Sequence, residues 1–405
     1  MHILLIHQAF AALNEPGGTR HHELAQHLVQ KGYRVTVIAS ALTYLTGGLQ
    51  GEKIPWVQRE DGEEGITILR AYTYNALHRS FFHRLLSFFS FMFSSFIIGL
   101  GVRDVDVVWG TSPPIFQGVT AWALARLKGA RFLFEVRDLW PAFAVAVGVL
   151  TSRPLIAASE WLEKFLYHRA DQLIVNSPGF IEHIQQRGGK GIALIPNGAE
   201  SSMFDPLADG ADLRQNYGLQ DKFVALYAGA HGMSNDLEIL LEAARELQDR
   251  PEIAIVLLGD GKEKPNLIAR AADLGVSNVY FLPALPKDEM REALAAADAC
   301  IAILKPIDMY RTVYPNKVFD YMAAGRATIL AIDGVIREVI ENGQAGIFVS
   351  PGDAKAMAEA IRQFADDPQG VRKMGQNGRK YLEAHFDRPK VAEDLDRVLK
   401  SLSMR

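Results

Sequence analysis

The sequence predicts a two-domain α/β fold with a parallel sheet in each half. Three observations carry this: short apolar runs without strict alternation, amphipathic stretches between them, and a restart of the same rhythm after residue 200. At 405 residues the chain is long enough for two sizeable cores.

In the first half the strand candidates are 2–7, 33–39, 66–70, 105–110, 131–135, 172–176 and 192–195, rich in Val, Ile, Leu and Phe. Such runs suit strands covered by helices on both faces. Helical patterns fall at 18–31, 115–128, 152–169 and 177–187. In the second half strands are expected at 223–228, 253–258, 278–281, 299–303, 328–331 and 346–349, with helices at 235–249, 262–274, 286–297, 316–324 and 353–367. Pro196-Asn197-Gly198 and the turn-rich stretch to Pro206 place the boundary near residue 200, giving domains 1–200 and 201–385. A last helix at 389–402, within a tail of 386–405, fits Pro389 in its first turn. It either stays on the second domain or crosses back to the first. The expected site is the cleft between the halves, at the C-terminal ends of the strands.

Composition narrows the function classes. The chain is 49% hydrophobic and 22% charged, with formal net charge −4, which does not suit nucleic-acid tracking. Cys300 is the lone cysteine and sits in an apolar run, so it reads as a buried strand residue in a reducing, cytoplasmic setting. Residues 1–6 read as a first strand, without the basic region and cleavage site of a signal peptide.

Four loops carry candidate chemistry. In Glu15-Pro16-Gly17-Gly18-Thr19-Arg20, paired glycines precede a helix, allowing close approach of an anion or substrate; a plain tight turn fits as well. The dinucleotide fingerprint Gly-x-Gly-x-x-Gly is absent there. Gly229-Ala230-His231-Gly232-Met233 occupies the equivalent position in the second half and suits a diphosphate, with His231 otherwise a packing or capping residue. Gly259-Asp260-Gly261-Lys262-Glu263-Lys264 puts a lysine at a helix start, within reach of a pyrophosphate, although a solvated lysine satisfies the same pattern. The fourth runs from Tyr310 to Arg326: Pro315 opens a helix and Gly325 stops it, with Asn316, Lys317 and Asp320 in the first turn and a half. Lys317 and Asp320 share a face. They read either as a ribose-and-phosphate grip or as an exposed helix pair.

Taken in order, Gly17-Gly18-Thr19-Arg20, Arg137-Asp138-Leu139-Trp140-Pro141, Ile195-Pro196-Asn197-Gly198, His231-Gly232-Met233, Gly259-Asp260-Gly261 and Pro315 to Gly325 resemble the GT-B glycosyltransferases of family 4. The likeness is strongest to bacterial O-antigen and exopolysaccharide sugar transferases and spans nearly the whole chain. It implies two Rossmann-like domains facing across a cleft and a retaining transfer without cofactor or essential metal. A nucleotide-sugar donor, a UDP-sugar, would lie on the second domain, and a saccharide or polyprenyl-linked acceptor on the first. Asp320 matches the second acid of the family's Glu-x7-Glu signature and would bind the ribose. Thr312 stands where the first Glu would be, and the usual Arg and Lys pair is missing after Gly229. Phosphate neutralisation therefore falls to Lys264 or Lys317, helped by loop amides.

Arg137 and Asp138 follow a strand and are the candidate acceptor-side pair, with Asp138 positioning or deprotonating the acceptor hydroxyl. A structural ion pair between the two is the competing reading. Asp104 and Asp106 would suit a metal-dependent transferase, but they start a strand and so read as solvated edge carboxylates. No metal site is assigned.

Residues 78–103 hold seven of the 21 phenylalanines between 81 and 96, and 85–102 carry no charge. A membrane span would split one sheet. What remains is a buried helix or a helix whose exposed face meets a membrane or lipid-linked acceptor, with Arg79 and Arg84 near anionic headgroups. The enzyme would then work at the inner face of the plasma membrane. A nucleotide-sugar 2-epimerase and a non-catalytic nucleotide-sugar-binding subunit are the alternative functions.

Overall fold

A computed structural model describes residues 1–13, 15, 17–42, 56–61, 65–75 and 81–404. Among the sequence candidates, Pro16 and Arg79 lie outside these residues. The chain forms two compact units: residues 1–12, 17–196 and 389–405 make the first, and residues 13–16 and 197–388 the second.

The first unit begins with β1 (His2–Ile6), α1 (Arg20–Gln30), β2 (Arg34–Ser40), β3 (Val57–Asp61) and β4 (Ile66–Ala71). It continues with α2 (Phe81–Gly101), β5 (Val107–Ser112), α3 (Phe116–Lys128), β6 (Arg131–Val136), α4 (Ala142–Ala146), α5 (Arg153–Arg169), β7 (Gln172–Val175), α6 (Ile181–Gln186) and β8 (Ile192–Leu194). Its eight-stranded sheet has the order β3-β4-β2-β1-β5-β6-β7-β8. All neighbours are parallel except β3, which runs antiparallel to β4. That strand corrects the all-parallel expectation. Val57, Gln58, Arg59 and Asp61 are exposed and mostly polar, so nothing in their pattern marks a covered strand.

In the second unit α7 (Ala211–Asn216) precedes β9 (Phe223–Ala228), α8 (Glu238–Glu246), β10 (Ile253–Leu258), α9 (Lys264–Asp273), β11 (Val279–Leu282), α10 (Met290–Ala295) and β12 (Ala299–Ile303). Then come α11 (Asn316–Ala323), β13 (Ala327–Ala331), α12 (Val335–Asn342), β14 (Gly346–Phe348), α13 (Ala354–Asp366), α14 (Pro368–His385) and α15 (Arg388–Ser403). The six strands are all parallel, in the order β11-β10-β9-β12-β13-β14. Both faces are covered. Leu226, Val256, Cys300 and Leu330 pack with α11 on one side, while Ile255, Ile301 and Ile329 pack with α8 and α13 on the other. Cys300 is fully buried in β12.

Most of α15 belongs to the first unit. Val391, Ala392, Leu395, Leu399 and Leu402 share a core with Ile3, Leu5 and Val37, and Tyr33 Oη donates to Asp396 Oδ1 at 2.6 Å. The chain therefore closes on the unit in which it began. Strand order reverses between β1 and β5 in one unit and between β9 and β12 in the other, which opens a crevice at each set of C-terminal strand ends.

Candidate functional site

In the second unit three segments meet at such a crevice. The loop after β9 is zipped to the loop after β10: Gly229 N–H donates to Leu258 O at 2.9 Å, His231 N–H to Asp260 O at 2.8 Å, and Glu263 N–H to His231 O at 2.9 Å. A Cβ at Gly259 would lie 1.9 Å from Gly229 O, so only glycine permits this approach. The loop after β12 is tied in through Lys305 N–H to Ser234 O at 3.0 Å and Tyr310 Oη to Ser234 Oγ at 2.5 Å.

The start of α11 supplies the third segment. Pro315 takes the cap position, one residue earlier than expected, and Gly325 ends the helix with φ +65°. The side chain of Lys317 threads beneath the β9 loop. Its Nζ lies 3.8 Å from the centroid of the Tyr227 ring, and a Cβ at Gly229 would fall 2.8 Å from it. The amine is buried and has no hydrogen-bond partner among the described residues. Burial lowers its pKa to about 7. This overturns the exposed Lys317–Asp320 pair: Asp320 Oδ1 instead receives Lys287 Nζ at 2.5 Å. Lys287 was invisible to sequence reasoning because a lone lysine after a proline carries no pattern.

The other lysine is committed elsewhere. Lys264 Nζ donates to Gly259 O and Leu282 O, each at 2.7 Å, and so staples the loop to the end of β11. His231 is fully buried, and among the described residues neither ring nitrogen has a hydrogen-bond partner. Burial, with the charges of Lys264 and Lys317, lowers its pKa to about 4, so the ring is neutral. Asn316 Oδ1 is likewise buried without a partner. Buried polar atoms are almost always hydrogen-bonded, so His231 and the Lys317 amine at one loop pair, with Asn316 next in the chain, mark a place built for a polar ligand. Thr312 Oγ1 donates to Met309 O at 2.6 Å, inside the short helical turn Asp308–Thr312.

The first unit carries a buried polar cluster at its own strand ends. Glu135 on β6 accepts from Trp109 Nε1 at 3.1 Å, His21 Nε2 at 2.6 Å and Arg20 Nε at 3.2 Å. Burial opposes the charge of Glu135, but its cationic partners outweigh it and hold the carboxyl well below the usual range. Burial lowers the pKa of His21 to about 4 despite Glu135, so His21 is a neutral donor and Arg20 the counter-charge at neutral pH. Arg20 also donates to Ile195 O and Pro196 O, both at 2.6 Å. This network anchors α1 across the sheet. Glu135→Ala should destabilise the chain by about 3–5 kcal/mol, because it strands a buried guanidinium. Urea unfolding followed by circular dichroism measures it, and a loss under 1 kcal/mol (about one surface contact) would refute that role.

Thr19, expected in the ligand loop, donates Oγ1 to Glu23 Oε1 at 2.6 Å and is buried. Gly17 and Gly18 remain exposed beside it. His7, at the end of β1, was not anticipated: Nδ1 lies 2.8 Å from Thr111 Oγ1, and Arg137 Nη1 lies 3.4 Å from Nε2. Arg137 is therefore directed toward His7. Asp138 is half-buried, and burial raises its pKa to about 7 against the opposing Arg137 charge and Leu139 amide. A carboxyl poised there can exchange a proton near neutrality. At the opposite strand ends Asp106 Oδ2 accepts from His2 N at 2.6 Å, which makes it a strand staple. Among the described residues no cluster of three or more His, Cys, Asp or Glu side chains has metal-site geometry.

Comparison with known proteins places this geometry. The family model described as "Glycosyl transferase 4-like domain" matches residues 17–198, and that described as "Glycosyl transferases group 1" matches 210–381. The chain is 26% identical over 384 residues to the putative colanic acid biosynthesis glycosyl transferase WcaI of Escherichia coli K12, covering 91% of this chain and 92% of that one. It is 27% identical to the putative glycosyltransferase EpsD of Bacillus subtilis 168, over 58% of this chain and 61% of that one. Among solved structures, sucrose-phosphate synthase of Thermosynechococcus elongatus superposes with a TM-score of 0.77 at 19% identity, over 99% and 98% of the two chains. HepE of Anabaena, in complex with UDP-glucose, gives 0.73 at 17% identity, over 99% and 100%. The two family matches cover both α/β units in order, and the chain belongs to the GT-B glycosyltransferases of family 4.

Proposed function

We propose that this glycosyltransferase moves a sugar from a nucleotide-diphosphate sugar to a saccharide or lipid-linked saccharide acceptor in cell-surface polysaccharide synthesis, with retention at the anomeric carbon. The observation that carries the donor half is the Lys317 amine, buried against Gly229 and the Tyr227 ring, close to His231, and without a hydrogen-bond partner among the described residues. A diphosphate brings to the Lys317 amine and a His231 ring N–H the acceptor oxygens that the described residues do not provide, while Asn316 Oδ1 is left to accept from a ligand hydroxyl. Asp320, steadied by Lys287, takes the ribose hydroxyls. The reading of the donor as a UDP-sugar takes support from HepE, whose structure holds UDP-glucose on the same fold. WcaI, named for colanic acid biosynthesis, supports the polysaccharide role.

In the transfer, the acceptor oxygen forms a bond to the anomeric carbon as the bond to the diphosphate breaks. The electron pair leaves with the diphosphate, whose charge Lys317 offsets. The acceptor proton goes to Asp138 or to the departing phosphate oxygen. Thr312 has no carboxylate for the donor sugar, so sugar selection rests on fewer contacts than the family signature implies. The same reading puts the enzyme in the cytoplasm, at the inner face of the plasma membrane and in peripheral contact with it.

Thermal unfolding with uridine, guanosine and thymidine diphosphates tests the donor half. At a hundred times the dissociation constant, the preferred nucleotide should stabilise the chain by about 2.7 kcal/mol. No shift with any of them would sink the donor reading. NMR of the preferred donor with and without a saccharide acceptor then reads the chemistry. A product retaining the donor's anomeric configuration is expected; inversion would overturn retention, and a C2 epimer formed without acceptor would make the chain an epimerase.

A further inference from the structure

The helix α2 is built inside out for a soluble surface. Its inward side buries Phe91 among small and polar residues: Ser87, Ser94 and Ser95 are fully buried, Ser94 Oγ donates to Tyr72 O at 2.6 Å, and Gly99 seats against Leu124 of α3. Its outward side is apolar. Phe82, Leu86, Phe89, Phe93, Ile97 and Leu100 are all exposed, Phe82 at 65% and Phe93 at 60%. Their spacing of three and four residues sets them in one stripe along the helix. At 1.5 Å per residue the stripe is about 27 Å long.

The stripe is not isolated. Leu127 on α3 and Trp161 on α5 are 66% and 65% exposed, and α3 packs against both α2 and α5. Helices α2, α3 and α5 also carry Arg84, Arg126, Lys128, Arg153, Lys164 and Arg169, against only Glu160 and the fully buried Glu163. The whole chain has a formal net charge of −4, so this face is basic within an acidic protein. Apolar surface of this extent, set among cations, matches an anionic bilayer: side chains enter the acyl boundary while arginine and lysine meet the headgroups. By length and composition Phe82–Gly101 could cross a membrane, but its inward side is tied to β2, β4 and α3. It can only lie along the surface.

The N-terminal half of the stripe reaches toward the acceptor-side loop. Phe89 packs against Phe116 in a tilted pair with centroids 4.9 Å apart, and Phe116 meets Trp140 at 6.0 Å, two residues after Asp138. We propose that the face formed by α2, α3 and α5 docks this unit on an anionic lipid bilayer, with the N-terminal half of the Phe stripe, through Phe89, bringing the Asp138 loop to the headgroup of a lipid-linked acceptor. The role of the headgroup rests on the glycosyltransferase reading above; the docking does not.

Flotation of the full chain tests it, using vesicles of phosphatidylcholine alone or with phosphatidylglycerol. The wild type should float with the mixed vesicles and fall off as salt rises. Phe93→Ser with Ile97→Ser, both at exposed positions, should lower the bound fraction by about tenfold or more with an unchanged circular dichroism spectrum. Arg126→Glu with Arg169→Glu should remove the preference for phosphatidylglycerol. The proposal is overturned by no flotation of the wild type, by equal flotation of the serine variant, or by equal binding to neutral vesicles. It is also overturned if sedimentation shows that the stripe instead pairs two copies of the chain and none floats. Nucleoside diphosphate binding, measured on the same samples, uses none of these residues, so a failed docking test leaves the donor reading standing.

Discussion

Lys317→Met should weaken nucleoside diphosphate binding by about 10- to 100-fold while making the unliganded chain more stable. A charge-assisted hydrogen bond to a phosphate is worth about 1.5–3 kcal/mol, which sets the fold-change. The stability gain follows from burial. The amine is unpartnered, and its pKa falls from 10.5 to about 7 because folding strips its water. Between those two pH values the unfolded chain holds the extra proton and the folded chain does not. Stability therefore rises with pH across that window, and the full penalty is present below about 7. Methionine keeps the length, removes the charge and abolishes the slope. Binding carries the opposite sign: the diphosphate favours the charged amine, so affinity should fall as pH rises above about 7 in the wild type alone. Calorimetric titration of the preferred nucleotide at pH 6.5 and 8.5, paired with thermal unfolding, reads both. A lysine that merely supported the fold would give a destabilised variant with unaltered affinity.

Asp138→Asn should cost about a hundredfold or more in turnover and leave nucleotide affinity unchanged, since the residue belongs to the first unit and the nucleotide groups to the second. Burial raises its carboxyl from 3.8 to about 7, against Arg137 and the Leu139 amide. Acceptance of a proton needs the ionised form, so turnover per acceptor should drop about tenfold for each pH unit below about 7. Stability runs the other way: between 3.8 and about 7 the folded chain holds more protons than the unfolded one, so stability is lost as pH rises through that range. Asparagine should flatten both profiles. An Asp138→Asn enzyme with wild-type turnover and an unmoved acidic limb would leave Asp138 a structural residue.

Much of the architecture follows from near neighbours along the chain. The runs 223–228, 253–258 and 299–303 are apolar at successive positions because helices cover both sheet faces, and that pattern needs no tertiary knowledge. The elements missed lack such a signal. The long helix α14 holds Gly375 and Gly378 in its interior and few apolar residues, and glycine costs a helix about 1 kcal/mol against alanine. It holds through packing on α11, β13 and β14. β3 is an exposed polar edge strand paired on one side only.

The site divides in the same way. Glycine loops, Pro315 and the helix start of α11 are local features, legible in the sequence by itself, and they point to the second half of the chain for the proposed nucleotide-sugar grip. Which cation serves it was decided by the tertiary structure alone. Lys264 and Lys317 are equal candidates on paper; packing gives Lys264 two carbonyl partners and strips Lys317 of water and partners alike. Packing likewise gave Asp320 to Lys287 and the Phe-rich helix an exposed side. Periodicity records which residues leave water on average. Which polar atom leaves it without a partner depends on groups brought together from different elements, and only the folded chain does that.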